Sequence, residues 1–198
     1  LLKETEQRNA ELAVINSIQQ GMAGSLDFRG IIELVGDTLC QVLGTDSIGV
    51  RWYEESTGLV HYPYEYELGR RVEVTPRPPA PGGIFEKVRR THAPNVYRTA
   101  AEFEAAGGRI IPGTAMALSS ASVPILANDR VIGVVHVESH QRESAFGDEQ
   151  VRLMQTVTAS MGVALENARL FDETQRLLRE TEARNAELAV INGIQQGI

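Results

Sequence analysis

Cysteine and long apolar runs are almost absent from the sequence. Its 198 residues include one cysteine, Cys40, which excludes an internal disulfide and a metal site built from several thiolates, and which fits a reducing compartment. No run of ~18 consecutive apolar residues occurs, and the first residues lack the basic flank and apolar core of a signal peptide. We therefore expect a cytoplasmic location and no membrane contact within these residues.

Positive charge is also in short supply. The 19 Lys and Arg residues stand against 26 Asp and Glu residues, for a net charge of −7, and such an acidic chain is a poor general binder of nucleic acids. The imbalance is uneven, because residues 68–110 hold eight Lys or Arg and four Glu. The sequence therefore predicts no nucleic-acid partner, and it concentrates its positive charge in one segment.

Catalytic motifs are missing as well. The sequence contains no P-loop, no phosphoacceptor and ATP-binding segments of a histidine kinase, and no metal-binding aspartate pair of a nucleotide cyclase. Ser119, Ser120 and Ser122 can be drawn as dyad partners of His136, but serines are common at the mouth of a hairpin. We therefore expect a non-catalytic fragment without metal ligands.

The two ends of the sequence are near copies of each other. LLKETEQRNAELAVINSIQQGM at residues 1–22 and LLRETEARNAELAVINGIQQGI at residues 177–198 agree at 18 of 22 positions. Their offset of 176 residues is too long for a solenoid unit of roughly 20 to 50 residues, so each unit must be a whole domain with its connector. We expect connector helices at residues 1–24 and 173–198 around one domain at residues 25–172, as one period of a tandem array.

The connectors have helix-forming composition and a heptad pattern with polar interruptions. From Asp148 onward the sequence contains no proline and predicts one helix of about 50 residues, or roughly 75 Å. We expect the helices to pair in a parallel homodimer; the alternative is that each packs on its own domain. The residues predicted for the pairing surface are Leu12, Ile15, Met22, Met154, Met161, Leu165 and Ala168.

Between the connectors, the apolar periodicity alternates between helical and strand-like. Helical spacing predicts one amphipathic helix and two short ones, at residues 27–45, 83–91 and 99–108. Alternating apolar residues predict two hairpins and a short strand, at residues 47–54 with 59–67, 119–126 with 130–139, and 94–98. This order predicts an α+β fold with an antiparallel sheet of five or six strands and helices on its faces.

Four of these segments together resemble the GAF domain family. They are SLDFRGIIELVGDTLCQVLGTDSIGVRWYEESTGL, GGIFEKVRRTHAPNVYR, SVPILANDRVIGVVHVES and FGDEQVRLMQTVTASMGVALENARLFDE, and they span residues 25–172. The resemblance implies a GAF/PAS-like sensor of a bacterial signalling protein that binds a small molecule. Paired flanking helices would pass the change to neighbouring GAF-like domains and to an output domain such as a histidine kinase or nucleotide cyclase. The alternative is a structural dimerisation spacer without a ligand.

Family members that bind different known ligands have different sequence features. Cyclic-nucleotide-binding members resemble N-K-x(n)-F-x3-D-E, whereas Glu138 and Ser139 occupy the Asn-Lys place here, and this departure weakens that alternative. Bilin-binding members attach pigment in the short-helix region, whereas Cys40 lies on the first helix. A haem would need an axial histidine, and a strand histidine such as His136 is more often a hydrogen-bonded core residue. We expect neither pigment nor haem.

A ligand pocket is predicted beside the second strand. Strand alternation places Tyr62, Tyr64 and Tyr66 on one face, where they suit an aromatic or anionic ligand together with nearby arginines. The alternative is a tyrosine-rich core edge with solvated arginines. The other residues predicted for the pocket are Arg70, Arg71, Phe85 and His136, with segments 75–83 and 107–114 as covering loops.

Overall fold

The computed structural model describes residues 15–16, 19–21, 27–111 and 113–196, with side chains as far as residue 188. From residue 27 onward the helices are α1 (Phe28–Leu43), α2 (Ile84–Thr91), α3 (Ala100–Ala105) and α4 (Asp148–Gln196). The strands are β1 (Ser47–Glu54), β2 (Leu59–Glu67), β3 (Arg70–Arg71), β4 (Asn95–Tyr97), β5 (Ser119–Ala127) and β6 (Arg130–Ser139). Leu12 and Met22 lie outside the described residues, so their part in pairing stays a prediction.

The strands form one antiparallel sheet. Their order across the sheet is β3-β2-β1-β6-β5-β4, so β1 and β6 are central and join the hairpin β1–β2 to the hairpin β5–β6. β5 and β6 are almost wholly buried, which explains why both read as nearly continuous apolar runs. The predicted α+β fold with five or six antiparallel strands is confirmed, with six.

One face of the sheet carries α1 and α4 and holds the main core. α1 begins after Asp27, whose side chain accepts a hydrogen bond from Arg29 N, and ends at Gly44 in the left-handed conformation (φ 60°). The first half of α4 lies so close to β5 that a Cβ added at Gly162 would stand 1.9 Å from the carbonyl oxygen of Leu126. The core residues of α1 include Ile31, Ile32, Val35 and Leu39.

The predicted pairing residues of α4 belong to this core. Met154, Met161, Leu165 and Ala168 are buried against the sheet and α1, and Ile15 packs on the edge of the same cluster. The prediction that they form an intermolecular surface is wrong for the four α4 residues, because the sheet and α1 of the same domain cover them. Periodicity alone cannot distinguish an intramolecular partner from an intermolecular one.

The second half of α4 leaves the domain. The helix has 49 residues and is about 74 Å long, as the proline-free run predicts. The exposed apolar side chains along the whole of α4 are Val163, Leu170, Phe171, Leu177, Leu178 and Leu188. Among the described residues, no helix combines the length and apolarity needed to cross a membrane.

The opposite face of the sheet carries α2 and α3. Phe85 and Val88 of α2 are buried on Val60, Val131 and Val134 in a second, smaller cluster. α3 begins at Thr99, whose side chain accepts from Glu102 N, and the Glu102 carboxylate in turn accepts from Arg98 N at 2.7 Å. These reciprocal bonds start the short helix directly after β4.

An irregularity in β2 divides the three predicted tyrosines between the faces. Val50 pairs with Tyr64 but Trp52 pairs with His61, so two residues of β2 stand opposite Arg51. Such a bulge shifts the alternation of side chains by one position. Tyr64 and Tyr66 therefore pack on the main core, whereas Tyr62 packs beside the α2 cluster. The prediction that all three share one face is wrong for this reason.

Candidate functional site

A narrow cleft lies on the α2–α3 face, where β4, β5 and β6 meet α3. Its empty space is about 240 Å³ when the solvent at its open mouth is included, and a water-sized sphere can enter about 10 Å³ of it, which is about the room that one water needs. Tyr97 of β4, Ser120 of β5 and Glu138 of β6 are register neighbours, which brings their side chains to the same place. The lining residues are Tyr97, Thr99, Phe103, Ile110, Met116, Ala117, Ser119, Ser120 and Glu138.

A chain of hydrogen bonds leads from the buried sheet to the cleft. Ser122 Oγ lies 2.7 Å from His136 Nδ1, and His136 Nε2 lies 2.9 Å from Glu138 Oε1. Since an ionised carboxylate only accepts, His136 Nε2–H donates to Glu138, and a neutral imidazole then accepts from the Ser122 hydroxyl. Ser122 and His136 are almost fully buried, whereas 27% of the Glu138 side chain is exposed. The relay, defined as Ser122, His136 and Glu138, fixes a carboxylate at the cleft.

The relay also keeps Glu138 ionised. Burial by itself would raise the pKa of the Glu138 carboxyl, but the hydrogen bond from His136 and the attraction of His136, Arg51 and His140 outweigh burial and lower the pKa to about 2. Glu138 therefore carries a full negative charge across the physiological pH range.

A buried ion pair lies next to the relay on β1 and β2. Arg51 Nη2 and Glu65 Oε1 are 3.2 Å apart, with 12% and 9% of their side chains exposed. Glu65 lies across the backbone of Gly49, where an added Cβ would stand 2.3 Å from Oε2. The Arg51 guanidinium also stacks 5.7 Å from the centre of the Tyr62 ring. These contacts extend the polar layer of this face from the cleft to the middle of the sheet.

The residues predicted for the pocket lie in different parts of the structure. His136 is in the relay and Tyr62 in the neighbouring polar layer. Tyr64 lies on the other face, where it donates to Asp37 Oδ1 at 2.7 Å. Arg70 and Arg71 are exposed at the edge of the sheet, with Arg71 over the Tyr66 ring, and Phe85 packs in the α2 cluster. His136 contacts a residue that lines the cleft, Glu138, at 2.9 Å.

The predicted covering loops also separate. Arg77, in segment 75–83, pairs with Val60 in the backbone of β2 and lies beside Tyr62, whose hydroxyl accepts from Arg77 Nε at 3.2 Å. Segment 107–114 contributes Ile110 to the cleft. The second proline- and glycine-rich segment therefore borders the cleft and the first one does not.

Sequence reasoning missed Glu138 and the aromatic pair Tyr97 and Phe103. The signal for Glu138 was present, because His136 and Glu138 are two residues apart on one strand and so share a face. Ser120 and Ser122 have the same spacing on the adjacent strand. Tyr97 and Phe103 meet edge to face at 5.4 Å, a contact between a strand and a helix that spacing alone does not reveal.

A serine nucleophile has no access to the cleft through this relay. Ser122 is the buried end of the relay and Glu138 is the end at the cleft, which reverses the order that nucleophilic catalysis requires. Cys40 lies on α1, on the other face, and burial raises the pKa of its thiol. Within the part of the chain that the structure describes, no three His, Cys, Asp or Glu side chains are placed to hold a metal ion.

Comparison with known proteins gives one family match and many similar folds. The sequence profile of the GAF domain matches residues 25–166. No curated protein sequence matches the chain. Among solved structures, the GAF domain of the Acinetobacter phosphoenolpyruvate-protein phosphotransferase is 16% identical, with a TM-score of 0.70 over 82% of this chain and 96% of that one.

Two further structures come from different kinds of protein. The GAF domain of a candidate sensor histidine kinase from Pseudomonas syringae pv. tomato is 17% identical, with a TM-score of 0.61 over 88% of this chain and 97% of that one. Free methionine-R-sulfoxide reductase from Neisseria meningitidis, in complex with its substrate, is 15% identical, with a TM-score of 0.64 over 81% and 90%. At these identities the likeness concerns the fold.

Proposed function

We propose, on the premise that the chain belongs to the GAF domain family, that its cleft binds a small molecule as the sensory step of a signalling protein. One observation carries the proposal: the relay fixes an ionised carboxylate in a partly enclosed cleft. Fixed ionised groups in clefts are typical of functional sites.

The size of the cleft bears on what it binds. A cleft in which a water-sized sphere can enter only about 10 Å³ is far too narrow for a nucleotide, which weakens the cyclic-nucleotide alternative, and it suits a small polar or charged group. Free methionine-R-sulfoxide reductase, whose fold this chain resembles, was solved with its substrate bound, so the fold is compatible with a small ligand. We propose a ligand of similar size for this domain.

We propose that α4 transmits a conformational change from the domain to the rest of the parent chain. The first half of α4 packs on β5, and the same helix continues beyond the domain to residue 196. A change at the β5–β6 end of the sheet therefore acts on a stiff element that reaches the next module of the parent chain. The candidate kinase among the similar structures supports a histidine kinase as the output; a nucleotide cyclase is the alternative.

A parallel homodimer is proposed through the exposed face of α4. Val163, Leu170 and Leu177 recur every seven residues and are about half exposed or more, which is the period of one position of a coiled-coil heptad. Phe171 and Leu178 lie beside them with the same period. This seam replaces the buried methionines as the proposed dimer surface.

The N-terminal repeat supports the proposal of a tandem array. Gln19 Nε2 donates to Ser160 Oγ at 3.1 Å, Ile15 packs on the main core, and Gly21 lies against Leu34. Residues 177–198 repeat this sequence, so we expect them to pack in the same way on a following domain.

The sensory proposal is tested by a thermal shift screen of the 198-residue chain against amino acids, amines, organic acids and cyclic nucleotides. A ligand at 100 times its Kd adds about 2.7 kcal/mol to the free energy of unfolding and raises Tm clearly. Ala117→Trp fills the cleft and should abolish the rise, whereas Ala101→Trp, on the exposed surface of α3, should not. No rise with any compound would favour the alternative, a dimerisation spacer without a ligand.

A further inference from the structure

The charge of the cleft indicates the class of ligand that it can bind. Among the described residues that line the cleft, Glu138 is the one with a charged side chain. Its Oε1 accepts from His136, and no hydrogen bond within the described part of the chain engages its Oε2. Ser120, its register partner on β5, lines the cleft, and its hydroxyl likewise has no hydrogen-bond partner among the described residues. The cleft therefore offers two acceptors side by side.

The positive groups nearby are already engaged. Arg51 pairs with Glu65 at 3.2 Å. Lys87 Nζ donates to the Tyr97 hydroxyl at 3.2 Å and to the carbonyl oxygen of Ala106, so it is held at the far end of the tyrosine. Glu67 Oε1 lies 3.9 Å from His140 Nε2, outside the lining of the cleft. Among the described lining residues, the charge of the cleft is therefore that of Glu138.

The remaining walls are apolar or aromatic. Tyr97 and Phe103 form an edge-to-face pair, and Ile110, Met116 and Ala117 close the opposite side. Aromatic rings attract a cation through their faces and bury alkyl groups well. The Tyr97 hydroxyl accepts from Lys87 and from Asn95 Nδ2 at 3.1 Å, which fixes the ring as a wall.

We infer that the cleft binds a small organic cation, an amine with a short alkyl or aromatic group, whose ammonium donates to Glu138 Oε2 and Ser120 Oγ. The apolar group lies over the exposed side chains of Ile110 and Met116 at the mouth of the cleft. This inference rests on the proposed sensory function and names its ligand class. It reverses the expectation drawn from Arg70 and Arg71, which favoured an acidic ligand, because both arginines lie at the exposed edge of the sheet.

The test compares molecules that differ only in charge. Phenethylamine and isoamylamine are titrated calorimetrically at pH 7 into the 198-residue chain, each beside the alcohol and the carboxylate of the same carbon skeleton. The amines should bind about tenfold or more tightly than the alcohols, and the carboxylates no better than the alcohols, because a charge-assisted hydrogen bond contributes to the amine alone. Equal binding of all three, tighter binding of the acids, or no binding of the amines overturns the inference.

Two variants assign the effect to the carboxylate. Glu138→Gln should weaken amine binding about tenfold or more and leave alcohol binding unchanged, while Glu104→Gln, exposed on α3, should change neither. Amine binding that survives Glu138→Gln, or that survives the cleft-filling Ala117→Trp, contradicts the assignment. If acids or neutral compounds bind and Ala117→Trp blocks them, the cation class is wrong and the sensory proposal stands. If nothing in either panel binds, both fail.

Discussion

Glu138 keeps its negative charge although most of its side chain is covered. The desolvation of a carboxylate opposes ionisation, and the donor hydrogen of His136 with the nearby positive charge offsets it. His136 is in turn held by Ser122 at 2.7 Å, so the position of the carboxylate depends on two buried residues that do not line the cleft.

A first prediction concerns stability in acid. The pKa of Glu138 falls from 4.5 to about 2 on folding, so its contribution is complete above pH 4.5 and is lost as the pH falls toward 2; it is on the order of 3 kcal/mol. Glu138→Gln should therefore lower the free energy of unfolding most at pH 7, and the difference from wild type should shrink by more than half between pH 5 and pH 3. Urea unfolding across this range measures it, with exposed Glu143→Gln as the control. A difference independent of pH would contradict the assigned cause.

A second prediction concerns the Arg51–Glu65 pair. Arg51→Met leaves the covered Glu65 carboxylate without its partner, and we expect a loss of about 3–5 kcal/mol in the free energy of unfolding. The double variant Arg51→Met with Glu65→Leu should lose less than Arg51→Met alone, because no buried charge is left uncompensated. A double-mutant cycle by urea unfolding measures the coupling. Additive losses would show that the two side chains do not act as a pair.

The elements were largely predictable from the sequence, because each carries its own periodicity and its own ends. The two hairpins appear where alternation predicts them, and α4 extends as far as the proline-free run indicates. The bulge in β2 was not predictable, since Pro63 fits the alternating pattern and no local residue fixes the register opposite Arg51. That one irregularity moved Tyr64 and Tyr66 to the other face and changed the predicted pocket.

The candidate site was predictable in part. His136 was identified as a strand histidine, and its period-two neighbour Glu138 follows from the same alternation. The walls of the cleft were not, because Tyr97 and Phe103 meet only after β4 pairs with β5 and α3 folds back. The basic segment 68–110 led to the prediction of an anionic ligand. The number of charged residues in a segment does not determine which of them face a cavity.

A third prediction tests how closely α4 lies on the sheet. Gly162→Ala places a methyl group 1.9 Å from the carbonyl oxygen of Leu126, which forces the helix away from β5, and we expect a loss of about 1–3 kcal/mol or more despite the higher helix propensity of alanine. Chemical unfolding measures it. Gln155→Ala, exposed on the same helix and outside the line of Val163, Leu170 and Leu177, is the matched control and should change stability by at most about 0.5 kcal/mol. A stabilised Gly162→Ala variant would contradict the packing of α4 on β5.

At the scale of the whole molecule, the fold separates a cleft on one face of the sheet from a long helix on the other. β5 and β6 connect the two, because Ser120 and Glu138 line the cleft while Val123 and Val137 of the same strands pack in the core that holds α4. This arrangement places any ligand one strand's thickness from the helix that leaves the domain. It suits a module that converts occupancy into a displacement of α4.

A fourth prediction concerns the oligomer. Multi-angle light scattering of the 21.7 kDa chain should give about twice that mass at tens of micromolar, and Leu170→Lys with Leu177→Lys should return it to the monomer mass, because lysines in a coiled-coil seam repel each other. Asp172→Lys with Glu182→Lys places the same charges on the same exposed helix outside the seam and should leave the dimer intact. A monomeric wild-type chain, or a dimer that survives the leucine changes, would contradict this surface.

Amide chemical shifts test most directly whether the domain senses a small molecule in the cleft beside Glu138. Titration of the tightest compound from the screens into the ¹⁵N-labelled 198-residue chain should shift the amides of Tyr97, Ser120 and Glu138 first, with smaller shifts along the half of α4 that packs on β5. Shifts confined to α2 or to the exposed half of α4, or no saturable shift with any compound, would contradict it.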